Sequence, residues 1–209
     1  MKILHVETGL HLYGGAQQVA YLLRGLQQRG VQNLLVCPPG AAIGEHFRKA
    51  DVDVIDVAGG GAADIGFVLR LRRVLLEHQP DLVHLHSRRG ADVLGALAAR
   101  LAGIPCVLSR RVDNPESHLW AALKYRLHAR VIAISQGIAG VLTAEGVPAA
   151  KLRVVRSSLD PAPWQQAESR AAFCAEFGIP SQRLLVGVVA QLIERKGHQI
   201  LFAALRGMR

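Results

Sequence analysis

Residues 2–30, KILHVETGLHLYGGAQQVAYLLRGLQQRG, decide the fold class because they place an apolar strand, a glycine-containing loop and an amphipathic helix in succession. The run over 2–6 has the length and the aliphatic content of a buried strand. Over 16–29, apolar side chains recur at helical spacing on one face, and Gly30 follows as a helix stop. The stretch therefore predicts a strand-loop-helix unit, the repeating unit of α/β proteins.

The same alternation continues outward as far as residue 160. Further strands are predicted over 32–37, 53–57, 82–86, 106–109, 131–134 and 152–155, and helices are predicted to end near residues 78, 102, 128 and 145. Asp64 and Ser135 are predicted N-caps, since their side chains accept hydrogen bonds from the free N–H groups of a first helical turn. This pattern predicts an α/β fold with a Rossmann-like, doubly wound parallel sheet.

A proline-rich segment, Asp160-Pro161-Ala162-Pro163, has the composition of an interdomain link. It separates a first domain over 1–160 from a linker and connecting helix over 161–180, which lead to a second Rossmann-like domain over 181–209. In that last part, 184–189 is predicted as a buried strand and 196–205 as a helix. One strand and one helix do not make an independent core, so we expect the second domain to be truncated.

Composition limits the classes of partner. Half of the 209 residues are hydrophobic and 5% are aromatic, which favours a large aliphatic core. The formal net charge of +9 favours an anionic partner, such as a phosphorylated substrate or acidic lipid headgroups. No nucleic-acid-binding motif accompanies the charge, so nucleic acid is not expected as a partner. The three cysteines lack a CxxC pair and no targeting segment is visible, which predicts a cytoplasmic protein, at most peripheral on a membrane.

The loop after the first strand contains Gly9, Gly14 and Gly15, and glycine lets backbone amides come close to a phosphate. Gly9 and Gly14 have the spacing of a P-loop, but Gly15 and Ala16 stand where its lysine and hydroxyl residue belong, which argues against an NTPase. The lack of a GxGxxG pattern argues likewise against a dinucleotide enzyme. A tight turn that needs glycine for its geometry alone is the alternative to phosphate binding.

Ligands of open parallel sheets bind beyond the carboxyl ends of the strands. Here those positions carry many polar and charged groups: Glu7, Thr8, His86, Ser87, Arg88, Arg89, Arg110, Arg111, Ser135, Arg156, Ser157, Ser158 and Gln191. Such a rim suits a ligand that bears phosphate. Ser135, Asp160 and His198 also occur in the order of a hydrolase triad, which leaves a serine hydrolase as an alternative, although Ser135 is more simply an N-cap.

Several longer phrases resemble glycosyltransferase family 4. They are Gly14-Gly15-Ala16-Gln17-Gln18-Val19, Pro80-Asp81-Leu82-Val83-His84-Leu85-His86-Ser87, Val131-Ile132-Ala133-Ile134-Ser135, Glu145-Gly146-Val147-Pro148, and Val186-Gly187-Val188-Val189-Ala190-Gln191-Leu192 before Lys196-Gly197-His198. The family has the GT-B architecture, in which two Rossmann-like domains face a cleft. The resemblance implies a retaining, metal-independent transfer of a sugar from a nucleotide-diphosphate donor, without a cofactor, to an acceptor held by the first domain.

The resemblance also implies a donor site. Gly14, Gly15, Gln191 and Lys196 would bind the donor phosphates, and the fixed charge of Lys196 would help to neutralise the diphosphate leaving group. Gln191 departs from the arginine that relatives usually carry, which weakens this clamp. No metal ligands are predicted.

Around the transferred sugar, His86 and Arg111 are expected as catalytic residues. Arg110 and Arg111 stand where many relatives place a histidine, and together with Arg88 they are predicted to bind an anionic acceptor. The alternative for Arg110 and Arg111 is that they form ordinary ion pairs. His84 is predicted to lie on the opposite face of its strand from His86, as a buried histidine with satisfied hydrogen bonds.

The function implied is sugar transfer in the assembly of a surface polysaccharide, a lipopolysaccharide or a glycolipid. Its partners would be a nucleotide-sugar donor, an anionic glycan or glycolipid acceptor, and an anionic membrane touched peripherally. Because the family's paired glutamates belong to a part of the second domain beyond Arg209, the 209-residue chain is expected to bind donor weakly and to transfer negligible sugar. A noncatalytic binding or assembly module that retains the acceptor domain is the alternative from another class.

Overall fold

The structure, a computed structural model, describes residues 1–50, 52–59, 61–86, 90–162, 165 and 168–207, apart from the side chain of Arg195. The chain divides into two compact units, Met1–Asp160 and Pro161–Arg209. The first unit contains a complete sheet with helices on both faces, and the second contains short helices.

The first unit is built on a seven-stranded, entirely parallel sheet in the order β3-β2-β1-β4-β5-β6-β7. The strands are β1 (Lys2–Val6), β2 (Gln32–Cys37), β3 (Asp53–Asp56), β4 (Leu82–Leu85), β5 (Cys106–Arg110), β6 (Arg130–Ala133) and β7 (Leu152–Val154). Aliphatic side chains dominate the central strands because those strands are covered on both faces. The predicted Rossmann-like, doubly wound α/β fold is confirmed.

Within the described ranges, six helices connect these strands. They are α1 (Gly14–Gln27), α2 (Ala42–Arg48), α3 (Ile65–His78), α4 (Ala91–Leu101), α5 (His118–Arg126) and α6 (Gln136–Ala144). Both predicted N-caps are confirmed: the side chains of Asp64 and Ser135 accept hydrogen bonds from the N–H groups of Phe67 and Ile138 at 3.1 and 3.2 Å. The sequence did not predict α2, a seven-residue helix, because its apolar repeat is too short to stand out.

The core lies on both faces of the sheet. Helices α3 to α6 pack on one face, where aliphatic side chains of all these helices join Leu4, Val36, Leu85, Leu108 and Val131 in one cluster. Helices α1 and α2 cover the other face over β2, around Leu35 and Cys37. This arrangement leaves the carboxyl ends of β1, β4 and β5 free to carry polar side chains.

The second unit contains α7 (Arg170–Glu176), a 3₁₀ turn (Glu194–Lys196) and α8 (His198–Arg206). The strand predicted over 184–189 is not formed, and Leu184 and Val189 are among the most exposed side chains of the unit, at 84% and 104%. A strand of a parallel sheet needs a neighbour for its backbone hydrogen bonds, and none of the described residues supplies one to this segment.

None of the helices in the described ranges combines the length and the hydrophobicity required to cross a lipid bilayer.

Candidate functional site

A cleft of about 670 Å³ opens at the carboxyl ends of β1, β4 and β5. Its walls come from the loop after β1, the start of α1, and the residues that end or follow β4 and β5. The lining residues are Glu7, Thr8, Gly9, Leu10, His11, Tyr13, Gly15, Ala16, His86, Ser109, Arg111 and Val112. This is the position at which open α/β sheets bind ligands, because the strand order reverses between β1 and β4.

Gly14 and Gly15 form the first turn of α1 rather than a separate tight turn. Neither residue has a positive φ angle, so neither needs glycine for its backbone conformation. The preceding residue, Tyr13, provides no side-chain cap, which leaves free N–H groups at the start of the helix. A Cβ atom on Gly15 would lie 3.7 Å from Cδ of Arg111. The helix start and the guanidinium group of Arg111 therefore flank the same part of the cleft, an arrangement suited to an anion.

Three buried histidines lie beneath the cleft: His5 on β1, His84 on β4 and His86 directly after β4. Their rings are stacked or tilted against one another, with centroids 3.9 Å apart for His84 and His86 and 5.3 Å apart for His5 and His86. The prediction that His84 and His86 point to opposite faces is wrong, because residues two apart on a strand share a face. His86 lines the cleft, as predicted for a site residue.

The histidine cluster is electrically neutral at pH 7. Burial lowers the pKa of His5 from 6.5 to about 4, although the hydrogen bond to Oδ1 of Asn33 raises it. Burial also lowers the pKa of His84 and that of His86 well below 6.5, and the neighbouring rings and Arg111 lower both further. An uncharged imidazole has one nitrogen that donates a hydrogen bond and one that accepts a hydrogen bond or binds a metal cation.

One nitrogen from each of these histidines lies within 4.8 Å of the others, a spacing at which three imidazoles could hold a metal cation. The observed distances indicate instead that these nitrogens form hydrogen bonds with neighbouring side chains. Nδ1 of His5 is 3.0 Å from Nε2 of His86, and Nε2 of His5 is 3.1 Å from Oδ1 of Asn33, so both nitrogens of His5 are engaged. Nε2 of His84 is 2.9 Å from the hydroxyl of Ser109. The cluster is therefore built as a hydrogen-bonded network.

Arg111 follows β5 and lines the cleft beside Glu7 and Gly15. Burial lowers the pKa of its guanidinium group, while the nearby carboxylate of Glu7 raises it. Its Nε is buried and has no hydrogen-bond partner among the described residues. Arg111 thus presents a partly desolvated cation to whatever occupies the cleft.

Arg110 does not lie in the cleft, in contrast to its predicted role in acceptor binding. Its side chain is 1% exposed and points to the opposite face of β5, since neighbouring residues on a strand alternate. It pairs with Glu116 at 3.2 Å and donates hydrogen bonds to the carbonyl oxygens of Val112 and Asn114. Arg110 is therefore a structural residue that holds the loop after β5.

The other predicted site residues lie elsewhere. Arg88 falls outside the described residues. Gln191 and Lys196 are exposed residues of the second unit, and Lys196 ends the 3₁₀ turn before Gly197. Sequence reasoning missed His5, Asn33 and Ser109 as parts of the histidine network. The parallel pairing of β1 with β4, which sets His5 opposite His84, is the signal that would have identified His5.

Ser135, the nucleophile of the hydrolase alternative, acts as the N-cap of α6. Its hydroxyl oxygen accepts the hydrogen bond from Ile138, and Ser135 is not among the residues that line the cleft. The structure thus gives this residue a local structural role.

The doubly wound sheet, with a polar cleft at its switch point and an uncapped helix start, defines a Rossmann-like ligand-binding domain of the type that occurs in GT-B proteins. The sequence profile of Glycosyltransferase Family 4 matches residues 13–162, and the chain belongs to this family. No curated protein sequence matches the chain significantly.

Several solved structures have the same fold. A glycosyltransferase from Rickettsia africae is 17% identical, with a TM-score of 0.85, and the similarity covers 100% of this chain and 57% of that protein. Alr3699/HepE from Anabaena, in complex with UDP, is 20% identical, with a TM-score of 0.81, and the similarity covers 98% of this chain and 57% of that protein. The same Anabaena protein in complex with UDP-glucose gives a TM-score of 0.77 at 20% identity, with the same coverage of both chains. The chain thus spans little more than half the length of these relatives.

Proposed function

We propose that this chain is the acceptor-side domain, with the beginning of the donor-binding domain, of a glycosyltransferase that uses a nucleotide-diphosphate sugar. The observation that carries the proposal is the meeting of the uncapped start of α1 with the cationic side chain of Arg111 at one end of the cleft. Free N–H groups and a guanidinium group are the donors that phosphate oxygens require. Family membership and the UDP-glucose complex of the Anabaena protein support a sugar nucleotide as that ligand.

In this proposal the transfer is retaining, needs no metal ion or cofactor, and ends on an anionic glycan, lipopolysaccharide or glycolipid. Gly14 and Gly15 lie against the donor phosphates, with Gln191 and Lys196 as further contacts from the second unit. His86 and Arg111 face the reacting sugar. Arg111 and Arg88 bind the anionic acceptor. The protein works in the cytoplasm. It is in peripheral contact with an anionic membrane, which its net charge of +9 favours.

Titration of UDP-glucose into the isotopically labelled chain tests the proposal directly. Amide signals of Gly14 and Gly15 and the imidazole signals of His86 should shift in a saturable manner, with weak affinity because the chain spans only 57% of its relatives. If the ligand shifts only signals remote from the cleft, the proposal fails.

Replacement of Arg111 by methionine should weaken UDP-glucose binding about tenfold or more, because hydrogen bonds from charged groups contribute about 1.5–3 kcal/mol. Isothermal titration calorimetry measures the change. Arg100→Met, which removes the same charge from an exposed position on α4, is the matched control and should leave the affinity unchanged. Equal losses in both variants would indicate a general charge effect instead of a contact.

Replacement of Gly15 by alanine should weaken UDP-glucose binding without destabilising the fold. The added Cβ would lie at an ordinary contact distance from Arg111. In the proposed site it would also stand between the helix start and the donor phosphates. Alanine in a helix is more favourable than glycine by up to about 1 kcal/mol, so thermal unfolding should shift upward if at all. Gly25→Ala in the same helix, remote from the cleft lining, should share the gain in stability and keep the affinity. A marked loss of stability in Gly15→Ala would contradict the unstrained helical backbone of Gly15.

Replacement of Ser135 by alanine should cost about 1 kcal/mol of stability through the lost N-cap and leave UDP-glucose binding unchanged. Ser135→Asp keeps an acceptor for the N–H of Ile138 and should restore the stability. Chemical denaturation and an ester hydrolysis assay together check this. Hydrolysis by the wild-type chain that disappears in Ser135→Ala would favour the hydrolase alternative.

A further inference from the structure

Three buried polar side chains form a hydrogen-bonded series from the interior under α1 to the wall of the cleft. Asn33 lies on β2, His5 on β1 and His86 directly after β4, and they are 6%, 0% and 4% exposed. Oδ1 of Asn33 is 3.1 Å from Nε2 of His5, and Nδ1 of His5 is 3.0 Å from Nε2 of His86. Hydrogens can be assigned along this series from its inner end.

The orientation of the Asn33 amide is fixed by two backbone carbonyl groups. Its Nδ2 donates to the carbonyl oxygens of Leu23 and Val31 at 3.2 and 3.1 Å. Carbonyl oxygens only accept, so the amide nitrogen must face them and Oδ1 must face His5. Oδ1 also only accepts, so Nε2 of His5 carries a hydrogen and donates it.

The position of the hydrogen on His5 determines which nitrogen of His86 carries a hydrogen. Burial keeps the pKa of His5 at about 4, so at neutral pH the ring has one hydrogen, and that hydrogen is on Nε2. Nδ1 of His5 therefore holds a lone pair and accepts the hydrogen bond from Nε2 of His86. His86 is neutral as well, so its Nδ1 also holds a lone pair. That atom is buried and has no hydrogen-bond partner within the part of the chain that the structure describes.

We propose that Asn33 and His5 are positioning residues, which hold His86 as a hydrogen-bond acceptor at Nδ1 for a hydroxyl group of the sugar in the cleft. This inference rests on the proposed function and deepens it. A lone pair at this site accepts from a hydroxyl and repels the oxygens of a phosphate, whereas a hydrogen there would donate to a phosphate oxygen and could no longer accept from the hydroxyl. The series thus directs His86 towards the sugar, while Arg111 and the start of α1 are left for the phosphates.

The first measurement is the tautomeric state of each histidine in the whole 209-residue chain, from the ¹⁵N signals of the imidazole rings at neutral pH. Wild-type His86 should carry its hydrogen on Nε2, and so should His5. In Asn33→Asp, a carboxylate faces His5 and stabilises its doubly protonated form. Nδ1 of His5 then donates to Nε2 of His86, and the hydrogen of His86 should move to Nδ1. Asn114→Asp makes the same charge change at an exposed position and should leave both rings as in the wild type.

The second measurement compares the binding of UDP-glucose with that of UDP. Asn33→Asp should weaken UDP-glucose binding about fivefold, the effect of one lost hydrogen bond, and should change UDP binding by less than about twofold. A purely structural role of Asn33 would weaken both ligands alike. Asn33→Leu removes the acceptor without adding charge and provides a second test, with a mixture of His86 tautomers expected, if the aspartate variant does not fold.

The outcomes separate this inference from the proposed function. A hydrogen on Nδ1 of wild-type His86, or a His86 tautomer that does not respond to either Asn33 variant, overturns the inference. Equal weakening of UDP and UDP-glucose overturns it as well. If the tautomers are as expected but the wild-type chain binds neither ligand, the proposed function is contradicted while the control of His86 by Asn33 stands.

Discussion

Acidification from pH 6.5 to about pH 4 should lower the free energy of unfolding by about 3 kcal/mol through His5 alone. The unfolded chain takes up a proton near pH 6.5, whereas burial delays protonation of His5 in the folded chain to about pH 4. The stabilisation is therefore fully present above pH 6.5 and is lost as the pH falls through this window. His84 and His86 act in the same direction, because burial lowers the pKa of each well below 6.5.

Urea denaturation at a series of pH values measures this loss. Each proton taken up on unfolding contributes about 1.4 kcal/mol per pH unit to the slope, so replacement of His5 by glutamine should reduce the slope by up to that amount. The comparison of slopes is independent of any overall loss of stability caused by the substitution. A wild-type chain whose stability stays constant between pH 6.5 and pH 5 would contradict the account of a buried, neutral cluster.

The acid sensitivity has a consequence for the site, because the histidine network works only while its rings are neutral. Protonation of His5 places a hydrogen on both ring nitrogens and reverses its hydrogen bond to His86. The stability of the fold and the acceptor character of His86 therefore depend on the same burial. Both are expected to fail in the same range of pH.

The first unit was largely predictable from the sequence. Its strands are short aliphatic runs and its helices carry amphipathic repeats, and these local patterns agree with the observed order of elements. The N-caps Asp64 and Ser135 were readable for the same reason, since a cap is made by residues only three positions apart. The strand predicted over 184–189 is not formed, because an apolar run forms a strand only where a partner strand is present.

The site was less predictable than the fold, because it depends on contacts between distant parts of the chain. Gly15 at the start of α1 lies near Arg111 directly after β5, and no local sequence pattern predicts the distance between them. Arg110 and Arg111 are neighbours with the same chemistry, yet strand alternation sends one into the core and the other into the cleft. No sequence pattern pointed to Asn33, because its orientation depends on two backbone carbonyl groups and its role depends on the imidazole of His5 on another strand.

Lys124 shows the same dependence on distant partners, and its replacement by methionine should destabilise the first unit by about 3–5 kcal/mol. Lys124 is 2% exposed and lies on α5, where its ammonium group pairs with Asp92 of α4 at 2.5 Å and with Glu116 at 3.1 Å. Methionine keeps most of the side-chain volume but leaves both carboxylates without this cation. Burial raises the pKa of Glu116, but Lys124 and Arg110 reverse that effect and lower it, so the cluster is held in its ionised form.

A matched control shows whether the loss comes from burial. Arg48→Met breaks an ion pair of similar length, 2.6 Å to Asp56, but both side chains are about 40% exposed, and such pairs contribute only about 0–1 kcal/mol. Addition of Asp92→Asn to Lys124→Met should recover part of the stability, because the uncompensated charge is then removed. A loss no larger than that of the Arg48 variant would show that the buried cluster is not held by charge.

The position of this cluster connects stability with the site. Glu116 binds Arg110 of β5 as well as Lys124, and its backbone N–H donates to the carboxylate of Glu145 at 2.6 Å. These contacts fix both ends of the loop that begins with Arg111. Lys124→Met should therefore weaken UDP-glucose binding even under conditions in which most molecules remain folded, although Lys124 does not line the cleft. Unchanged affinity in the folded variant would mean that Arg111 is positioned by its own contacts with Glu7 and the start of α1 alone.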